Sequence, residues 1–249
     1  MYVVSKYVLD FVPPFTLLWL RYAIAVILLF GLMTAKKEQR VKRSDIGLLV
    51  WIGFIGYFVS VGTQFWGTKL SDAHTGALIT ATAPVFTFIL ARLLLKEAIT
   101  GRKLVSLLLS ICGMIMVIGF GEGNGGSYWG AFFLTVAAVT WALLSVYVKK
   151  ASDSYSSLTI TTYALLFAML FTTPAAAWEM CFTAPDFFGN TLVWSGILYI
   201  GAVSTALAFF LWNKGMDLME AGVGSLFFCF QPIVGAFLGW LLLDESLGM

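Results

Sequence analysis

Eight long apolar stretches, joined by short connections, constrain this chain more than any other feature of its sequence. A helix needs about 20 apolar residues to cross a bilayer, and each stretch reaches or approaches that length. Arg21 is the one charged residue inside any of them. The pattern predicts an all-α, polytopic membrane protein. The stretches are Phe15–Met33, Ile46–Thr68, Thr75–Ala91, Leu104–Phe120, Tyr128–Val148, Ser156–Trp178, Leu192–Asn213 and Ala221–Leu243.

Composition agrees with this class and narrows the expected partners. Hydrophobic residues make up 60% of the chain and charged residues 11%, whereas roughly a quarter of a soluble domain is charged. A net charge of +2 argues against a nucleic-acid partner. The three cysteines lie far apart without metal-type spacing, so no metal and no cofactor is expected. The expected partners are the lipid bilayer and a small-molecule substrate, and a homodimer is left open.

Basic residues predict the orientation of the chain. Alternate connections hold 12 of the 15 Lys and Arg residues, beginning with "AKKEQRVKR", whereas the opposite connections hold only Lys6 and Lys69. Cytoplasmic loops are enriched in Lys and Arg. The loop of residues 34–45 is therefore predicted to be cytoplasmic, and the loop Glu179–Asn190 is predicted to be external.

An internal repeat relates the two halves of the chain. "DAHTGALITATAPVFTFILARLLLKE" begins at Asp72 and "EAGVGSLFFCFQPIVGAFLGWLLLDE" begins at Glu220, and 9 of their 26 positions are identical without a gap. Pro84 pairs with Pro232, and the same offset pairs Gly53 with Gly201. The second copy is the fifth span after the first, an odd number, so it crosses the membrane in the opposite direction. Inverted repeats of this kind occur in many secondary transporters.

The repeat also predicts a larger design than eight spans. A weaker match pairs Lys6 with Lys149, so that Met1–Leu9 corresponds to the end of the span that begins at Tyr128. Two inverted repeats of five helices each are predicted, the first over residues 1–122 and the second over 123–249. The chain would hold eight full spans and a stub, with about fifteen further apolar residues encoded before Met1 and one further span after Met249.

Three segments resemble the EamA branch of the drug/metabolite transporter superfamily. They are "SKYVLDFVPPFTLLWLRYAIA" (5–25), "ALITATAPVFTFILARLLLKEAIT" (77–100) and "SLFFCFQPIVGAFLGWLLLDESLG" (225–248). The resemblance covers essentially the whole chain. It implies ten helices in two inverted halves, and export or exchange of small metabolites, often amino acids or related compounds, across the cytoplasmic membrane. It does not indicate the substrate.

The paired prolines predict where a substrate pathway lies. Pro-interrupted helices at matching places in two halves point to the substrate site of a transporter, so Pro84 and Pro232 are predicted to bend two symmetry-related helices there. Small and polar residues share helix faces with these prolines and on the neighbouring spans. Tight helix packing also favours small residues, and Trp at a helix end is often an interfacial anchor. The candidate pathway residues are Tyr57, Ser60, Gln64, Trp66, Thr80, Pro84, Thr87, Thr205, Trp212, Asn213, Gln231 and Pro232.

Arg21 completes the candidate pathway. It lies about 10 Å past Pro14 along a helix, and a charge inside a membrane span is by default a functional hypothesis. It could pair with a substrate carboxylate. The alternatives are snorkelling to the outer interface or bonding to carbonyls at a helix end. All 13 acidic residues lie in connections or at span ends, so a buried carboxylate relay is not expected from these residues.

These features bear on three classes of function. A secondary transporter that exports its substrate by alternating access fits the inverted repeat and the central polar residues. A non-transporting membrane subunit or sensor is the alternative. An intramembrane enzyme would need carboxylates or His-based catalytic groups at depth, and the single histidine, His74, lies at a span's outer end. The sequence therefore predicts that the chain is not an enzyme.

Overall fold

The computed structural model describes residues 2–38, 41–71, 79–80, 82–118, 128–183, 189–230 and 234. Over these residues every regular element is helical, which confirms the all-α prediction. The α-helices are α1 (Tyr2–Leu9), α2 (Pro14–Ala35), α3 (Ile46–Ile52), α4 (Ser60–Leu70), α5 (Ala83–Leu90), α6 (Gly101–Ile118), α7 (Tyr128–Ser152), α8 (Ser157–Thr183), α9 (Thr191–Gly201), α10 (Ala208–Leu218) and α11 (Ala221–Ser225). Short π-helical and 3₁₀ segments continue or precede them: Arg43–Asp45 and Leu226–Cys229 are 3₁₀, and Gly53–Val59, Ala91–Leu95 and Ala202–Leu207 are π-helical.

Five helical stretches of the described residues are long and apolar enough to cross a membrane. They coincide with five of the eight predicted spans: Pro14–Ala35, Arg43–Thr68, Tyr128–Ser152, Ser157–Phe182 and Thr191–Leu218. Helix α6 covers most of the predicted stretch Leu104–Phe120, and Ala83–Leu95 forms a shorter apolar helix. Most of the predicted span Ala221–Leu243 lies outside the described residues, together with Gln231 and Pro232.

The chain divides into two compact units, each of which draws helices from both sequence repeats. The first unit consists of Met1–Phe58 and Tyr147–Leu218, and the second of Val59–Val146 and Met219–Met249. In the first unit α2 packs along α8. Helix α1 packs on α9, where buried Val8 and Ile197 belong to one apolar cluster.

In the first unit, polar side chains accept hydrogen bonds from free backbone N–H groups at the start of two helices, α2 and α9. Pro14 opens α2, where proline needs no N–H partner. The Glu179 carboxylate accepts the backbone N–H of Thr16 at 2.8 Å and its hydroxyl at 3.1 Å. At α9, the Asn190 side chain accepts the N–H of Leu192 at 3.0 Å. Negative or acceptor groups stabilise helix N-termini, so these contacts define both starting points.

Close glycine contacts show the inverted repeat within the first unit. A Cβ placed on Gly53 would lie 3.0 Å from the Cβ of Phe167, and one on Gly201 would lie 2.8 Å from the Cβ of Ile24. The offset that pairs Lys6 with Lys149 also pairs Ile24 with Phe167. The same helix-to-helix approach therefore occurs twice, each time between a helix of the first half and a helix of the second, at residues related by the repeat.

The repeat extends to an irregularity of the backbone. A π-helical segment begins at Gly53, directly after α3, and another begins at Ala202, directly after α9. The offset that pairs Gly53 with Gly201 places these segments at matching positions. π-helical turns are rare and occur frequently at functional sites. Both halves therefore depart from α-helical geometry at positions that the repeat pairs with each other.

In the second unit, Pro84 does not have the position expected from the sequence. The continuous helix Thr75–Ala91 was expected to contain it in the middle, but α5 begins at Ala83, and Pro84 lies in its first turn. Proline is tolerated there because the first-turn N–H groups have no partner within the helix. Ile79 and Thr80 are helical as well and Thr82 lies in a turn, so Pro84 occupies the first turn after an interruption of the helical stretch. Residues 75–78 and 81 lie outside the described part.

The segment that follows α5 contacts the start of α11. The Glu97 carboxylate accepts the backbone N–H groups of Ala221 at 2.7 Å and Gly222 at 3.2 Å. Lys103 forms an ion pair with Glu220, the residue before α11. These contacts join the segment after α5 to the beginning of α11 within this unit.

Candidate functional site

A charged side chain, that of Arg21, is buried in the first unit. Its side chain is 2% exposed, and its Nε–H donates to the hydroxyl of Thr205 at 2.7 Å. Thr205 in turn donates to the carbonyl of Ile200 at 2.8 Å, across the π-helical turn. The guanidinium therefore bonds to a side chain of the second repeat. Arg21 therefore neither snorkels to the outer interface nor bonds to a helix-end carbonyl, which were the two alternatives from the sequence.

Aromatic rings flank the Arg21 guanidinium. Its central carbon lies 5.7 Å from the ring centroid of Phe209 and 5.9 Å from that of Tyr22. A cation within about 6 Å of an aromatic face is attracted by the ring quadrupole. This attraction stabilises the charge without neutralising it. Among the described residues, no Asp or Glu forms an ion pair with Arg21.

Phe209 also contacts a second set of buried polar side chains. The ring of Phe209 stacks on Tyr57 with 4.9 Å between centroids. The Tyr57 hydroxyl accepts from the Asn213 amide at 3.0 Å, and the same amide donates to the Thr161 hydroxyl at 2.8 Å. All of these polar side chains are buried. Buried polar groups need such partners because leaving them unsatisfied is costly.

The backbone around Tyr57 is held by one further bond of this cluster. The Tyr22 hydroxyl donates to the carbonyl of Tyr57 at 2.7 Å. Tyr57 lies in the first π-helical segment and Thr205 in the second, and the repeat pairs these two residues with each other. Each half thus contributes the same position to one buried cluster. We call Arg21, Tyr22, Tyr57, Thr161, Thr205, Phe209 and Asn213 the buried polar cluster.

The structure places four predicted pathway residues together and the others elsewhere. Arg21, Tyr57, Thr205 and Asn213 form the cluster, and Trp212 is half-buried in the same unit. The predicted residues in the second unit have varied surroundings. Ser60 donates to the carbonyl of Ala137 at 2.9 Å, Thr87 donates to its own helix, Pro84 is buried, Thr80 and Gln64 are half-buried, and Trp66 is 50% exposed. Gln231 and Pro232 lie outside the described residues.

Sequence reasoning missed Tyr22, Phe209 and Thr161. Two of them carried a usable signal: Tyr22 directly follows Arg21, and Phe209 lies four residues after Thr205, which places it on the same helix face. Thr161 lies in the polar run "TITTY" of an apolar span. Its contact with Asn213 depends on helix packing that no local pattern reports.

The cluster can bind and orient polar groups, but it holds no acid or base arranged for bond cleavage. Within the described ranges, no group of three or more His, Cys, Asp or Glu residues could hold a metal ion. A buried cation, hydroxyls and an amide among aromatic rings instead suit recognition of a small polar molecule.

Fold and site together define the class: a duplicated, all-helical membrane protein with a polar site enclosed by its helices. The EamA-like transporter family matches residues 1–119 and again residues 128–249. The chain belongs to this family, and it is accordingly a multi-pass membrane transporter and not an enzyme.

Individual relatives agree with the family. The uncharacterized transporter YetK of Bacillus subtilis is 29% identical over 98% of this chain and 75% of its own length. The S-adenosylmethionine/S-adenosylhomocysteine transporter of Chlamydia muridarum is 25% identical over 98% of this chain and 80% of its own length. A protein of known crystal structure shares the fold, with a TM-score of 0.82 and 17% identity over 98% of this chain and 85% of the other.

Proposed function

We propose that this transporter is a secondary exporter of small polar metabolites, such as amino acids or related compounds, across the cytoplasmic membrane. The observation that carries the proposal is the buried Arg21, which has hydrogen-bonding and aromatic neighbours but no acidic partner in the described part of the chain. Charged residues inside membrane helices are costly and line substrate paths.

Alternating access is the proposed mode of transport. The inverted repeat gives two halves that exchange roles when one side closes and the other opens. The π-helical segments after Gly53 and Gly201 support this mode, because such turns loosen the regular helix at matching places in both halves. Pro84 and Pro232 are proposed to serve the same motion, with Pro84 acting at a helix start.

Orientation in the membrane follows from the basic residues. We place the loop of residues 34–45 in the cytoplasm, since it carries five Lys and Arg residues. The connection from Glu179 to Asn190, which has none, is placed outside. Arg21 then lies within two to three helical turns of the outer surface on α2.

The relative from Chlamydia muridarum supports the proposed substrate class. Its name assigns to it S-adenosylmethionine and S-adenosylhomocysteine, both of which contain an amino-acid group. The alternative function, a non-transporting membrane subunit or sensor, would require the same site to bind a ligand without moving it. Transport measured with the isolated protein separates these two functions.

The test begins with cells that overproduce the protein and cells that carry the empty vector. Metabolites are quantified in both cells and medium, and any compound depleted inside and enriched outside is offered, radiolabelled, to proteoliposomes. We expect one or a few small polar metabolites to accumulate in the lumen faster than in protein-free liposomes. Correctly folded protein that moves none of them would favour the sensor or subunit.

A further inference from the structure

We propose that Arg21 binds the carboxylate of the transported metabolite through its two terminal nitrogens, and that Thr205 and Phe209 hold the guanidinium for this task. This inference rests on the proposed transport function and deepens it by naming the chemical group that the site selects.

The first step concerns the donors that remain on Arg21. A guanidinium has five N–H groups in a fixed plane. Nε–H is committed to Thr205 at 2.7 Å. The contacts of Arg21 within the described ranges provide no acceptor for the two Nη nitrogens. These nitrogens form a fork whose spacing matches the two oxygens of a carboxylate.

The second step concerns charge balance. A buried charge without a counter-ion is destabilising by several kcal/mol, even after relaxation of the surroundings. The eight apolar stretches contain no Asp or Glu, so the chain supplies no counter-ion from within them. An anionic ligand would neutralise Arg21 on binding. The site therefore favours a molecule that presents an anionic group to Arg21 over a molecule that has no such group.

The third step limits the anion to a single charge. Arg21 is the one cation in the eight stretches. The repeat pairs it with Ala164, through the offset that pairs Lys6 with Lys149, so the second half supplies no matching charge. A doubly charged phosphate would leave one negative charge uncompensated at this depth. A carboxylate fits the single guanidinium.

The fourth step concerns orientation. Thr205 is fully buried, and its hydroxyl is itself fixed by the carbonyl of Ile200 at 2.8 Å. Phe209, one turn further along, lies beside the guanidinium. Together they fix the plane of Arg21, and the Nη fork has no hydrogen-bond partner among the described residues. Thr205 is thus a positioning residue that acts through Arg21.

The experiment compares acids with their amides on purified protein. The melting temperature is measured with each of the twenty proteinogenic amino acids and with its α-carboxamide, in which a neutral –CONH2 group replaces the α-carboxylate. We expect at least one acid to stabilise the wild type while its amide does not. Arg21→Gln should raise the half-saturation concentration of that acid by about 30-fold or more, as expected when one partner of a buried charged pair is removed.

Matched variants separate binding from folding. Arg21→Lys keeps the charge but loses the fork, and should give an intermediate affinity. Thr205→Val should reduce the preference for acid over amide several-fold. Thr162→Val removes an equally buried hydroxyl that bonds only within α8, and Arg43→Gln removes an exposed charge; both should leave the preference unchanged.

Two results would overturn the carboxylate site. One is that no acid stabilises the wild type beyond its amide. The other is that folded Arg21→Gln keeps the preference for the acid. Failure of the transport proposal looks different, because wild-type proteoliposomes would then move no metabolite at all. If the Arg21→Gln variant transports a neutral or cationic metabolite at an unchanged rate, the carboxylate site is refuted but the transport function is not.

Discussion

Replacement of Gly53 by alanine tests the paired helix contacts that relate the two halves. The new Cβ would lie 2.5 Å from the carbonyl oxygen of Ala164, whereas ordinary contact begins at 3.4 Å. The neighbouring helix must therefore move away by about 0.9 Å. This oxygen belongs to the backbone of α8, so no side-chain rotation relieves the clash. Gly201→Ala should behave alike, because its Cβ would lie 2.8 Å from the Cβ of Ile24.

The magnitude follows from two opposing effects. Overpacking of a well-packed interior costs about 1–3 kcal/mol, and replacing glycine by alanine in a helix gains about 0.5–1 kcal/mol. The net loss is about 0–2.5 kcal/mol. At about 2–4 °C per kcal/mol for a chain of this size, Tm should fall by up to roughly 10 °C in each variant.

Gly31→Ala provides the matched control. Gly31 lies on an exposed face of α2, and a Cβ there would meet no atom within 4 Å. The helix gain should then appear alone, so Tm should stay constant or rise. Tm of all three variants is measured in the same detergent with a fluorescent dye that does not react with cysteine thiols. Equal Tm values for Gly53→Ala and Gly31→Ala would refute the close approach of α8 to the first π-helical segment.

Three further predictions address the second unit and the orientation. Pro84→Ala should lower stability by about 1 kcal/mol through lost burial of the ring methylenes, whereas replacing a proline in the middle of a helix would raise stability. A higher Tm would contradict the first-turn position. Turnover per folded molecule tests the proposed hinge. Glu97→Gln should destabilise the protein by about 0.5–2 kcal/mol, since it weakens the bonds to the start of α11; an unchanged Tm would show those bonds to be dispensable. In a chain whose cysteines are replaced by alanine, an impermeant thiol reagent on intact cells should label Gly189→Cys and spare Lys37→Cys, and the reverse pattern would invert the proposed topology.

The spans, their order and the internal repeat could be predicted from the sequence. Length and hydropathy decide whether a helix can cross a bilayer, and both can be counted directly. The pairs Gly53/Gly201 and Pro84/Pro232 could be aligned because glycine and proline stand out from a leucine-rich background. The matching contacts to Phe167 and Ile24 are the ones that the weaker alignment leads us to expect.

The details of the site could be predicted less well, for physical reasons. The depth of Arg21 was evident, but whether its side chain turns towards lipid or protein depends on how α2 packs. The π-helical segments leave no periodic signal in an almost uniformly apolar run. Pro84 was misplaced in the expected helix because hydropathy does not report where a helical segment begins.

Interactions between distant residues were the least predictable. Asn213 and Tyr57 could each be selected as polar residues in apolar spans, but their hydrogen bond joins different repeats. Phe209 looks like an ordinary lipid-facing or core residue until its distance from Arg21 is known. Such contacts are created by helix packing, which a single sequence does not specify.

The most direct measurement of the central claim is an experimental structure of the protein with its transported metabolite bound. The account predicts a carboxylate of that metabolite about 2.7–2.9 Å from both Nη nitrogens of Arg21, with the Nε–Thr205 bond kept. A metabolite bound elsewhere, with Arg21 still contacting only Thr205 and the aromatic rings, would contradict it.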